Sequence, residues 1–273
     1  MSTLKASVII STYNQPEWLQ KVLWSYEVQT IQDFEIIIAD DGSTIDTKNC
    51  IENFSSQTNI PIKHVWHKDN GFQKTIILNK ALLECDANYI IFTDGDCIAR
   101  KDFIETHLKL QKANSFLSGG YFKLTKEVSN EISKDDIINQ NCFNFSWLSE
   151  KGQPKNFKSN KLTASGFKAW LLNTFTPTKA TFDGMNVSGW KNDILEVNGF
   201  DERMQYGGED REIGERLMNK GVKFIQIRYS AICLHLFHER PYKNDAALLK
   251  NKQIRKETKR TKSSYSKFGI KKI

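Results

Sequence analysis

The stretch Tyr89-Ile90-Ile91-Phe92-Thr93-Asp94-Gly95-Asp96-Cys97 decides how this chain is read. An apolar, β-branched and aromatic run stops on two carboxylates separated by one glycine. The run reads as a strand buried on both faces. Such a strand does not ordinarily end on paired acids, because desolvating two like charges side by side is costly. A divalent cation removes that cost. Asp94 and Asp96 then offer hard oxygen ligands, and Gly95 lets backbone and ligand approach closely. A cation held by one or two carboxylates shares its remaining positions with water and phosphate oxygens, so the expectation is a metal–diphosphate site at the edge of a sheet. A polar turn after a strand is the competing explanation for a lone Asp-Gly-Asp.

Upstream of this stretch the chain alternates between two periodicities. Ser7 to Ser11 reads as a short buried strand, followed by a helix start in which Asn14 can cap, Pro16 falls in the first turn and Glu17 lies three residues after the cap. Trp18, Leu19, Val22, Leu23 and Tyr26 repeat at helical spacing. Phe34 to Ala39 is a second strand, running into Asp40-Asp41-Gly42-Ser43, with a helix to about 57. Ile62 to His67 is a third, and after Lys68-Asp69-Asn70-Gly71 a helix leads into the opening stretch. Strand and helix alternating with short connections predict an α/β domain with a mainly parallel central sheet flanked by helices. Ligands of open parallel sheets bind beyond the carboxyl ends of the strands. Here those ends carry Thr12–Asn14, Asp40–Ser43, Asp69–Gly71 and Asp94–Asp96, four polar turns converging on one crevice.

The second half is less periodic. Phe103 to Lys112 reads as a helix and Phe116 to Leu124 as one strand, while residues 127–180 read as a polar insertion with some helix. Order returns at Gly184 to Trp190. The loop Asn198-Gly199-Phe200-Asp201-Glu202 leads to Gly207-Gly208-Glu209-Asp210 at a helix start, and two strands and His235-Leu236-Phe237-His238 close the folded part.

The 273 residues suffice for one large domain, and 26% charged against 39% hydrophobic is ordinary for a globular protein. Five scattered cysteines without a Cys-x-x-Cys pair suggest free thiols in a reducing compartment. No signal-like or membrane-spanning run is evident, so a cytoplasmic protein is expected. The net charge of +7 points to nucleic acid only until it is located. Eleven Lys/Arg against two acids lie between Lys243 and Ile273, which leaves the remainder near −2. The expectation is one domain over 1–240 and a basic tail over 241–273. The tail is either solvated or, with Tyr265, Phe268 and Ile270 interleaved, laid on an anionic membrane surface; nucleic acid is not expected.

Val8-Ile9-Ile10-Ser11-Thr12-Tyr13-Asn14, Asp40-Asp41-Gly42-Ser43, Asn70-Gly71 and Asp94-Gly95-Asp96 together resemble family-2 glycosyltransferases of the GT-A fold. The stretch from Asn198 through Gly207-Gly208-Glu209-Asp210-Arg211 to Arg216-Leu217 is similar to β-1,4-galactosyltransferases, polypeptide N-acetylgalactosaminyltransferases and bacterial chondroitin-polymerase modules. The ordered set covers roughly 5–125 and 184–240. The resemblance implies a nucleotide-binding half over 5–125 and an acceptor-binding half over 126–240. It implies that Thr12, Tyr13 and Asn14 border the nucleotide, that Asp40 accepts a hydrogen bond from uracil, and that Asp94 touches ribose or metal. Asp96 would bind Mn2+ or Mg2+ with His235, His238 being the alternative. Asp210 would be the acceptor-side base, Glu209 would hold the acceptor sugar, and Trp190 would sit against a sugar ring.

Transfer from a UDP-sugar needs charge neutralisation on the departing diphosphate and a carboxylate to take the acceptor hydroxyl's proton, which Asp96 with His235 and Asp210 would supply. The expected activity is an inverting transfer of a hexose or N-acetylhexosamine, galactose or N-acetylgalactosamine first, to a glycan or lipid-linked glycan. Each residue also has a plain explanation. Acids favour helix starts through the dipole, Asp-Asp-Gly-Ser is a good turn, and a tryptophan or histidine is more often structural. His64, His67 and His107 keep that explanation, while Lys74 and Arg211 could reach phosphate or equally lie on solvated helix faces. A sugar-phosphate nucleotidyltransferase would want a glycine-rich phosphate loop with a following lysine, which Ser11-Thr12-Tyr13-Asn14 lacks. A non-catalytic glycan- or transferase-binding partner of the same fold would be expected to lack catalytic residues.

Overall fold

A computed structural model describes residues 4–239 and 244–272. Its first half is β1 (Ala6–Thr12), α1 (Pro16–Glu27), β2 (Phe34–Asp40), α2 (Ile45–Ser55), β3 (Ile62–Trp66), α3 (Lys74–Glu84) and β4 (Tyr89–Asp94). β1 and β2 are buried at every position, and β4 at all but Asp94. Because side chains alternate along a strand, Val8, Ile10, Ile36, Ile38 and Ile91 enter one hydrophobic core with Leu19, Val22, Leu23 and Tyr26 of α1. Ile9, Ile37, Ile90 and Phe92 enter a second core, on the other face, with Ile77 and Ala81 of α3. Two-sided burial is what the unbroken apolar runs require.

The chain continues through β5 (Cys97–Ala99), α4 (Phe103–Leu110), β6 (Ser115–Ser118) and β7 (Gly120–Lys123). Five short helices follow: α5 (Lys126–Glu131), α6 (Lys134–Ile138), α7 (Phe145–Glu150), α8 (Asn160–Thr163) and α9 (Gly166–Phe175). Then come β8 (Asn186–Trp190), α10 (Lys191–Glu196), α11 (Glu209–Asn219), β9 (Lys223–Gln226), β10 (Ile232–His235) and α12 (Asp245–Thr261). The large sheet has the order β3-β2-β1-β4-β8-β6-β9 and the small one β5-β10-β7. β8 is antiparallel to both neighbours; the other pairs of the large sheet are parallel. Because β8 lies between β4 and β6, segments from both halves of the chain share one sheet.

Several expectations are corrected. Asn14 does not cap α1. It sits at φ 48°, Gln15 takes the cap position, and the Asn14 side chain accepts from Thr44 N at 2.8 Å, tying the β1 turn to the β2 turn. Phe116 to Leu124 is two strands in different sheets, because β6 pairs with β8 and β9 and β7 with β10; glycine at the step leaves room for Asn186 beside Gly119 and the Arg228 carbonyl beside Gly120. The basic C-terminal segment is not a solvated tail. α12 lies along α11, where Arg255 meets Glu215 at 2.5 Å and Thr258 Oγ1 donates to Glu212 at 2.9 Å. Beyond it Asn198 Nδ2 donates to the Ser266 and Lys271 carbonyls, and Ile270 packs on the second core. The boundary set at 240/241 lies outside the described residues.

Candidate active site

The carboxyl ends of β1, β2 and β4 open into a cavity of about 620 Å³ that the start of α11 and the end of β10 also line. Thr12, Tyr13, Asn14, Asp94, Asp96, Glu209, Asp210, His235 and His238 all line it. Two of the residues assigned to it from sequence do not. Asp40 is fully buried, with one oxygen accepting from Ser43 N at 2.8 Å and the other 2.9 Å from His64 Nε2. Its neighbour Asp41 reaches the cavity instead, while accepting from Gln73 N at 2.9 Å and facing His67 at 2.8 Å. Asp40 is the last residue of β2, with its side chain held beneath the turn by Ser43 N and His64, while Asp41 begins the turn that borders the cavity. Trp190 stands at the other end of the strands, opposite Tyr89, where its Nε1 donates to the Lys112 carbonyl. Tyr206, edge-on to Phe72, is an aromatic residue of the cavity wall just before α11.

Gly95 earns its place by geometry. Its N–H donates to Ser11 O at 2.7 Å, and a Cβ there would sit 3.1 Å from that oxygen. The turn thereby swings Asp96 beneath β10. Asp96 Oδ2 lies 3.0 Å from His238 Nε2 and 3.9 Å from His235 Nε2, and one ligand atom from each residue lies within 4.8 Å of the others. The Nδ1 atoms of His235 and His238 are 2.7 and 2.8 Å from the carbonyls of Leu236 and Glu239. A carbonyl only accepts, so Nδ1 carries the proton in both rings and Nε2 faces Asp96, the arrangement that prepares histidine for a metal. Burial opposes ionisation of Asp96, yet His238 and His235 hold its carboxyl at about 2. One carboxylate and two imidazoles suit a divalent metal that keeps positions open for diphosphate oxygens. Both histidines stand in one cluster with Asp96.

Across the cavity, α11 begins on acids. Gly207 and Gly208 have φ of 106° and 90°, and a side chain at Gly207 would strike Leu248 of α12. This left-handed pair turns the chain so that Glu209 and Asp210 enter the helix facing inward. Asp210 accepts from Arg211 N at 2.7 Å and from Gly184 N at 3.3 Å, and Glu209 from Gly207 N at 2.8 Å. Burial, with Asp210 beside it, raises Glu209 to about 7. Burial, with Asp210 nearby, raises Asp183 to about 6. Asp183 was not singled out from sequence, because a lone acid before a glycine carries no spacing signal. Of the two readings open for Lys74, the structure shows the one directed to the site: it meets Asp94 at 2.7 Å inside the cavity. Burial disfavours its charge, but Asp94, Glu209 and Asp210 more than reverse this and raise its pKa. His107 is structural: buried between Ser188 and Asn186, it is lowered to about 4 by burial and stays neutral.

A mainly parallel sheet whose strand ends gather acids and histidines around a polar crevice is the arrangement in which open α/β folds bind their ligands, and its likeness to known glycosyltransferases identifies it as their GT-A fold. Residues 7–174 match glycosyl transferase family 2, and residues 174–239 match the family described as the N-terminal domain of galactosyltransferase. The chain belongs to glycosyltransferase family 2. It is 30% identical over 230 residues to a chondroitin synthase of Escherichia coli, covering 81% of this chain and 33% of that protein. It is 27% identical over 263 residues to the uncharacterized glycosyltransferase YfnE of Bacillus subtilis, covering 86% and 65%. The chain thus spans less than two thirds of the length of these relatives. Among solved structures, it is similar to the mannosyltransferase PcManGT from Pyrobaculum calidifontis in complex with GDP-Man and Mn2+. The TM-score is 0.59 at 16% identity, over 89% of this chain and 59% of that one. TarS of S. aureus in complex with UDP-GlcNAc gives 0.56 at 16%, over 87% and 60%. At such identity these two establish the shared fold alone.

Proposed function

We propose that the chain is an inverting, metal-dependent glycosyltransferase that moves a hexose or N-acetylhexosamine from a UDP-sugar to a glycan hydroxyl in bacterial surface polysaccharide or lipopolysaccharide synthesis. The observation that carries this reading is that the Asp96–His235–His238 cluster and the Asp210 carboxylate open onto one cavity. Galactose or N-acetylgalactosamine is favoured as the transferred sugar, because the acceptor-side segment matches a galactosyltransferase family and a chondroitin synthase is among the relatives.

Asp96, His235 and His238 would hold Mn2+ or Mg2+, which when bound neutralises charge on the departing diphosphate. Thr12, Tyr13 and Asn14 border the nucleotide, and Asp41, in place of Asp40, accepts from the base. Asp94 is fixed by Ser11 at 2.6 Å and Lys74 at 2.7 Å, in a position to meet ribose or metal. Asp210 takes the proton of the acceptor hydroxyl as that oxygen attacks the anomeric carbon on the face opposite the diphosphate. That direction of attack turns an α-linked donor into a β-linked product. Glu209 holds the acceptor sugar, and Tyr206, in place of Trp190, offers a ring to it. A non-catalytic partner of this fold is disfavoured because no member of the base or metal set is missing.

Release of UDP from a panel of UDP-sugars, with acceptor glycans and Mn2+, tests this with the wild type and Asp210→Asn. The variant is expected to lose about 10²–10⁴-fold in kcat while binding donor normally. Full transfer by Asp210→Asn would refute the base assignment.

A further inference from the structure

Residues 151–182 hold six lysines and no acidic residue. The longest helix in this segment, α9, has two unlike faces. Inward, Ala169 and Leu172 pack with Tyr229, and Asn173 bonds to Ser230 and to the Tyr229 N–H, both at 2.9 Å. Outward, Phe167, Trp170, Leu171 and Phe175 fall at i, i+3, i+4 and i+8 and are 74, 56, 40 and 74% exposed. The Phe167 and Trp170 rings stack at 5.4 Å, and Phe157, just before the helix, is 71% exposed. Lys155, Lys158, Lys168 and Lys179 are exposed around them.

We infer that this face docks on an anionic lipid bilayer, α9 lying in the interface with its aromatic side chains among the acyl chains and its lysines at the headgroups. Aromatic and leucine side chains on one face, with lysines nearby and no acid to oppose them, are the signature of interfacial rather than spanning helices. At ten residues α9 is about 15 Å long, half of a hydrocarbon core. No described helix is long and apolar enough to cross a membrane. α12, the more basic helix, does not offer such a face. Within it Leu249 is the exposed large apolar side chain, and Arg255 and Lys259 are turned to Glu215. The chain runs from α9 through residues 176–182 to Asp183 in the cavity wall.

The test is co-sedimentation of the full chain with vesicles of phosphatidylcholine alone or mixed with phosphatidylglycerol, at low and high salt. Binding is expected only to the anionic vesicles and to weaken with salt. Partitioning should fall about tenfold or more in Phe167→Ser/Trp170→Ser and in Lys155→Glu/Lys158→Glu/Lys168→Glu. Lys250→Glu/Lys252→Glu/Lys256→Glu on α12 should bind like the wild type. Unfolding midpoints are expected to stay close to wild type, because the replaced side chains are exposed. Absence of binding, equal binding to both vesicles, or dependence on the α12 lysines would overturn the inference. So would a dimer that the α9 variants dissociate in the absence of vesicle binding, which would make a second copy the occupant.

Discussion

Glu209 and Asp210 are adjacent in sequence and differ in surroundings, and the difference is measurable. Glu209, raised to about 7 from an ordinary 4.5, is protonated in the folded protein and ionised in the unfolded chain across that window. The folded state binds the extra proton, so stability declines as pH rises from about 4.5 to 7 and stays reduced above it. Glu209→Gln keeps an oxygen for the Gly207 N–H and removes the charge. It should therefore be more stable than the wild type at pH 8, by on the order of 2–3 kcal/mol, with the gap closing below pH 4.5. Thermal unfolding at the two pH values decides it. At this scale the sequence was informative where residue types clash with their surroundings, as with two acids ending the apolar run at Asp94 and Asp96. It could not separate Asp40 from Asp41, because which of two neighbours faces the ligand depends on the last strand residue and the turn. Nor could it show that Trp190 lies away from the cavity, since the end of the sheet it occupies is set by the antiparallel pairing of β8 with β4. The sequence left Lys74 open between the site and a solvated face because its partners come from β4 and α11, remote in sequence.

Among the elements, α12 changes the account most. Asn251 is fully buried, and its Nδ2 lies 2.8, 3.2 and 3.1 Å from the carbonyls of Gln205, Tyr206 and Gly207, the loop that delivers Glu209 and Asp210. It is a positioning residue. Asn251→Leu should cost about 1–3 kcal/mol of stability by orphaning those carbonyls. It should also raise the acceptor KM while leaving UDP affinity unchanged. A purely structural role would lower stability without separating the two substrates. The alternating strands and helices up to β4 were legible because each is local and buried on a simple period. β8 inserted antiparallel between β4 and β6, and the step from β6 to β7, were not, because both are set by pairing between distant segments. α12 read as a tail because charge dominates its composition. The few residues that anchor it, Ala247, Asn251 and Thr258, recur at helical spacing but are mostly polar.

Over the whole molecule, two sets of groups line one cavity: the Asp96–His235–His238 cluster and the acids at the start of α11, with Lys74 electrostatically coupled to Asp94, Glu209 and Asp210. The basic charge that gives the chain its net +7 lies partly on α12, packed against α11, and partly around the exposed α9 face. The central claim is that the donor diphosphate binds through a cation held by Asp96, His235 and His238, separately from the base. The most direct test is calorimetric titration of UDP, with Mn2+ or with chelator, into the wild type, Asp96→Asn and Asp210→Asn. UDP should bind the wild type and Asp210→Asn alike with Mn2+, and at least about tenfold more weakly with chelator or in Asp96→Asn. Equal UDP affinity with and without the metal, or in Asp96→Asn, would contradict it.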